Sequence, residues 1–99
     1  MRYVLSEELL EFLQRGLKSR LGKKHGIAVY KLYVRRLQTI RDIEDDRGLR
    51  DHKGLHYEVL DRSNYEHSIR LDQQWRLILW FNEDAEGRYM VIDHIEDYH

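Results

Sequence analysis

Six residues stand out for the chemistry their types allow. The stretch "IEDYH" sets a carboxylate (Asp97), a phenol (Tyr98) and an imidazole (His99) side by side, and each of these can give, take or orient a proton. A loose polar tail and one half of an active site both fit that composition. Upstream, "LHYEVL", "EHSIRL" and "WRLILWF" carry His56, Arg70 and Arg76. Counting by twos along extended chain puts these three on one face of a sheet. Two arginines and a histidine on an open sheet surface make an anion site, because a guanidinium grips phosphate with a planar fork and does not lose its charge. His94 and His99 with Asp93 and Asp97 offer ligand atoms, but their spacing fits no zinc signature. We therefore expect no metal and no cofactor. His25, His52 and His67 read as ordinary surface histidines.

These residues must be held by a scaffold, and composition bounds it. Ninety-nine residues suit one domain spanning 1–99. With 41% hydrophobic and 35% charged residues and a mean hydropathy of -0.76, the chain should fold as a globule with a heavily charged surface. The absence of cysteine excludes disulfides and thiolate metal sites. No apolar run approaches the roughly 18 residues a membrane span needs, so a soluble, cytoplasmic protein with no membrane partner is expected. The net charge of -1 hides an asymmetry: residues 1–40 hold nine Lys or Arg against three Glu, and residues 41–99 hold eight against fifteen Asp or Glu. The basic part could meet phosphates through Lys18, Arg20, Lys23, Lys24, Arg35 and Arg36, or it could simply fold against the acidic part.

The periodicity predicts α+β order. "RYVL" reads as an edge strand. Ser6 can cap a helix over 7–21, with leucines at 9, 10, 13 and 17 on one face. "GKKHG" at 22–26 should break it, and Tyr30, Tyr33, Val34, Leu37 and Ile40 then mark a second helix over 27–45, with both tyrosines in the core. After a loop, "DDRGLRDHKG", the period changes to two. Leu55, Tyr57 and Val59 alternate with His56 and Glu58, and Ile69 and Leu71 alternate with Ser68 and Arg70. "WRLILWF", apolar on both faces, reads as a central strand, followed by the turn "NEDAEG" and a hairpin partner "RYMVIDHI". Helices first and strands afterwards imply two N-terminal helices on one face of a mostly antiparallel sheet of about 4–5 strands.

"LH" at 55–56, "SIRLDQQWRLI" at 68–78 and the terminal "EDYH" together resemble the HigB toxins of the RelE/ParE superfamily. The resemblance implies a RelE/ParE-like fold and the toxin of a type II toxin–antitoxin system, held in check by a helix-turn-helix, HigA-like antitoxin. It also implies a metal-independent endoribonuclease that cuts mRNA on the ribosome. Carried over by position, it makes His56, Arg76, Asp97, Tyr98 and His99 catalytic, with Arg76 facing the scissile phosphate and the two histidines sharing the acid and base roles in an unassigned order. Arg70 and the basic helical residues would bind RNA phosphates. The family's Pro-Leu-Lys-Gly after leucine-histidine is replaced here by "YEVLDRSN". Two other outcomes stay open: a ParE-like protein that binds DNA gyrase without catalysis, and a decayed toxin that keeps only antitoxin binding.

Overall fold

The structure is a computed structural model and describes residues 1–61 and 65–97. The chain opens on strand β1 (Tyr3–Leu5), the expected edge strand, and enters helix α1 (Glu7–Arg15). Ser6 caps α1 by accepting from the Leu9 amide, and Glu7 and Glu8 lie at the positive end of its dipole. The helix ends at Arg15, not near residue 21. A 3-10 turn (Gly16–Lys18) follows, and Ser19 caps helix α2 (Arg20–Asp42) by accepting from the Gly22 amide at 2.9 Å.

"GKKH" is therefore helical, and the break in this region is confined to Gly26, whose backbone (φ 83°, ψ -178°) lies where essentially only glycine is comfortable. Gly22 is needed for a different reason. A Cβ there would stand 2.0 Å from the Gly16 carbonyl oxygen, so its absence lets α2 close against the turn.

The loop expected at 45–54 contains helix α3 (Asp46–Asp51) and a second 3-10 turn (Lys53–Leu55). Asp45 caps α3 through the Gly48 amide at 3.1 Å, and fully buried Leu49 and Leu55 anchor the segment. Its Asp and Gly content resembles a loop, but one buried leucine per turn is enough to hold short helices.

Strands β2 (Glu58–Asp61), β3 (Glu66–Arg70), β4 (Trp75–Asp84) and β5 (Gly87–Asp97) complete a five-stranded sheet of order β1-β5-β4-β3-β2. β1 runs parallel to β5, and the other neighbours are antiparallel. The hairpin turn is shorter than "NEDAEG" suggested, because Asn82, Glu83 and Asp84 pair with Tyr89, Arg88 and Gly87. The alternation expected from residue 55 also fails. His56 has a left-handed backbone (φ 45°, ψ 48°), β2 starts only at Glu58, and Val59 is 44% exposed instead of facing the core with Leu55.

The core lies between the helices and one sheet face. Leu9, Phe12, Tyr33, Leu37 and Ile40 meet Ile69, Leu77, Leu79, Met90 and Ile92. Tyr33 stacks on Phe12 with ring centroids 4.9 Å apart and donates to the Leu9 carbonyl at 2.8 Å, so its buried hydroxyl is satisfied. Tyr30 is half-buried at the edge.

A β-bulge controls which side chains reach the other face. Ile78 pairs with His94 but Leu79 pairs with Ile92, leaving Asp93 as the extra residue. Ile92 and Ile95 can then both pack on the helix side while His94 and Glu96 turn to the open side. Ser6 pins the bulge: its amide donates to the Ile92 carbonyl at 3.0 Å and its hydroxyl to the Asp93 carbonyl at 2.6 Å.

Candidate active site on the open face of the sheet

Register brings Arg70 of β3 directly opposite Arg76 of β4. Like charges in that position repel, and the two side chains resolve it by going different ways. The Arg76 guanidinium turns inward, and the residue is only 2% exposed. Its Nε donates to Ser68 Oγ at 2.7 Å, its Nη2 donates to the His56 carbonyl, and Glu58 Oε2 lies 3.8 Å away. Ser68 is itself fully buried, although period-two reading made it a solvent-facing residue.

Arg70 stays half-exposed, with Nη1 3.4 Å from His56 Nε2. A guanidinium can only donate, so in this contact Nε2 is the accepting atom. His56, Tyr57, Glu58, Arg70 and Arg76 line a shallow open cavity of about 260 Å³. The three residues expected to form an anion site are thus together, with one guanidinium accessible and the other built into the frame.

The remaining candidates divide. Glu96 lies opposite Arg76, and Asp97 lies one residue further, opposite Trp75, where it accepts from Gln74 Nε2 at 3.2 Å. Tyr98 and His99 lie outside the described residues. Lys18, Arg20, Lys23, Lys24 and Arg35 are exposed. Arg36 is not free for phosphate in the way the basic-helix reading supposed: its Nε donates to the Arg70 carbonyl at 2.8 Å, tying α2 to the end of β3. The first turns of α2 reach the same end of the sheet, since the His25 ring meets Trp75 edge-on with centroids 4.5 Å apart.

Three histidine environments were not legible as such. His94 Nδ1 lies 2.8 Å from Asp93 Oδ2 and its Nε2 3.4 Å from Glu96 Oε1. Burial lowers its pKa, but the two carboxylates outweigh that and hold it above the ordinary imidazole value. His67 is no surface histidine. It is half-buried against Phe81 and lies 2.6 Å from the Tyr57 hydroxyl, and burial, then Arg88, lowers its pKa. His25 is likewise half-buried, with its pKa lowered by burial and then by Lys24. Ser68 did leave a signal, because Ser-x-Arg on a strand places a hydroxyl and a guanidinium on one face. Among the described residues no three His, Asp or Glu side chains converge as metal ligands, and no helix is long and apolar enough to cross a membrane.

Two N-terminal helices laid on one face of this mixed five-stranded sheet, with the polar cluster on the other, have the layout of the RelE/ParE-like toxin fold. Among solved structures the chain is similar to the YoeB/ParE toxin from Agrobacterium tumefaciens, with a TM-score of 0.53, 11% identity and 100% of each chain covered. No protein-family model and no curated protein matches the chain.

Proposed function

We propose that the protein is the toxin of a type II toxin–antitoxin system and cuts mRNA on the ribosome without a metal, restrained by a helix-turn-helix, HigA-like antitoxin. The observation that carries this reading is the juxtaposition of the His56 imidazole and the accessible Arg70 guanidinium, 3.4 Å apart in an open cavity. With RNA bound, Arg70 turns from His56 Nε2 to the phosphate, Nε2 takes the proton from a ribose 2′-hydroxyl, and the 2′-oxygen attacks phosphorus. Arg70 steadies the negative charge that builds on the phosphoryl oxygens. The bond from phosphorus to the 5′-oxygen breaks, leaving a cyclic phosphate, and the 5′-oxygen receives a proton from His99, with Asp97 and Tyr98 orienting or stacking beside it. The exposed residues Lys18, Arg20, Lys23, Lys24 and Arg35 guide ribosomal RNA phosphates toward the sheet end that α2 abuts.

A second reading, gyrase binding without catalysis, draws on Glu58, whose carboxylate lies 3.8 Å from Arg76, and on Glu96, the ladder partner of Arg76, which add acidic residues where an RNA strand would run. The two separate on induction in cells. Loss of translation before any DNA damage supports the nuclease, whereas early double-strand breaks with mRNA intact would replace it with the gyrase reading.

A further inference from the structure

His56 is the base in the reading above, and it occupies a left-handed backbone conformation (φ 45°, ψ 48°) that non-glycine residues seldom adopt, histidine more often than most. It also sits between a 3-10 turn and β2, where no ladder bond fixes it. Its amide donates to the Lys53 carbonyl at 3.3 Å, which closes the turn and leaves the carbonyl side to be fixed by another partner. What meets it is a chain of buried polar contacts: Ser68 Oγ, fully buried, accepts from Arg76 Nε, and Arg76 Nη2 donates to the carbonyl of His56.

We propose that Ser68 and Arg76 are positioning residues: Ser68 sets the plane of the buried Arg76 guanidinium, which holds His56 in its left-handed backbone so that the imidazole faces Arg70. This rests on the proposed nuclease reading for its kinetic consequence, but not for its structural one.

The geometry supports the assignment in three ways. A guanidinium presents donors at fixed angles, so fastening Nε on Ser68 dictates where Nη2 points. The bond it makes is charge-assisted and comes from a residue only 2% exposed, which strengthens it. The backbone flanking the partner arginine is tied as well, through Arg36 Nε to the Arg70 carbonyl. The His56–Arg70 pair is thereby held from two sides, by one arginine on each partner's carbonyl, Arg76 buried and Arg36 half-buried. A lysine at 76 would keep the charge and lose the fork.

The test uses the whole protein and Ser68→Ala, with Arg76→Lys as the second variant should the first unfold, each checked for folding by circular dichroism. Two readouts are taken. NMR on the free protein follows the His56 backbone couplings, which report positive φ, and the His56 ring resonances. Single-turnover cleavage of ribosome-bound mRNA over a range of protein concentrations separates the maximal rate from half-saturation. Both variants should lose the positive-φ signature, shift the His56 ring resonances as the imidazole leaves Arg70, and cut at a maximal rate lower by about a hundredfold with half-saturation within about twofold. A folded variant that keeps the parent's His56 couplings and ring resonances overturns the proposal. So does a maximal rate unchanged while half-saturation rises, which would make Arg76 an RNA-binding group. If the parent cuts no RNA, the nuclease reading fails by itself, and the NMR comparison still decides whether Ser68 and Arg76 hold His56.

Discussion

Replacing Ser6 by alanine removes two bonds made by one oxygen. The hydroxyl donates to the Asp93 carbonyl at 2.6 Å and accepts from the Leu9 amide at 3.4 Å. The longer contact sets the capping loss near the low end of its range, about 0.5 kcal/mol. The shorter one leaves a half-buried bulge carbonyl without this donor, a loss of about 1–2 kcal/mol. Together they lower stability by about 2 kcal/mol, which for a domain of this size is a fall in Tm of roughly 8–16 °C. Ser6→Thr keeps both bonds and should stay within about 0.5 kcal/mol of the parent. Ser6→Asp keeps the capping acceptor but has no proton to offer Asp93, so it isolates the bulge contribution. Equilibrium urea unfolding followed by circular dichroism measures all three. A Ser6→Ala loss below about 0.5 kcal/mol, or an equal loss for threonine, would refute the claim that the Ser6 side chain pins the bulge.

Other expectations follow from the same coordinates. Gly22→Ala should destabilise by more than about 3 kcal/mol, because its Cβ meets backbone, whereas Gly26→Ala meets nothing within 4 Å and should cost only the backbone strain of about 1–3 kcal/mol; paired urea titrations order the two. Tyr33→Phe should cost about 0.5–1.5 kcal/mol by the same assay, since it removes the bond to the Leu9 carbonyl, which keeps its helical partner. Burial, then Tyr3 and Tyr30, push the Tyr33 phenol up, so the parent should lose stability as pH rises above about 10 and the variant should lose less. His94, raised above its unfolded value of about 6.5, contributes stability that is full below that pH and lost as pH rises through its folded pKa. Unfolding curves across pH 5–9 should show His94→Gln differing most from the parent at the acid end, as order-of-magnitude bounds on the window.

The layout of the fold was readable because its signals are local and periodic. The leucine and tyrosine stripes gave both helices a core face, and "WRLILWF" could only be a central strand. What escaped depends on contacts distant in sequence. The break expected before Ile27 is present but confined to Gly26, and nothing in "GKKHG" says that residues 20–25 are helical, where Gly22 packs under the Gly16 carbonyl. Asp93 reads as an ordinary strand residue until Ser6, 87 positions away, binds its carbonyl. Alternation grouped His56 with Arg70 and Arg76, and they do meet, but by a left-handed turn and not along a strand. It could not tell which arginine is buried, because that choice is made by Ser68 and the His56 carbonyl. The parts of the site at Tyr98 and His99 rest on the resemblance of "EDYH" alone.

The central claim is that His56, served by Arg70, cuts RNA. Its most direct test is purified protein added to ribosomes carrying a defined mRNA, with cleavage ends mapped by primer extension for the parent, His56→Ala and Arg70→Gln. The account predicts cuts by the parent, a maximal rate about 10²–10⁴-fold lower for His56→Ala, and for Arg70→Gln slower cutting with a shallower dependence on salt. Message left intact by a parent protein that still arrests growth, or His56→Ala cutting as fast as the parent, would contradict it.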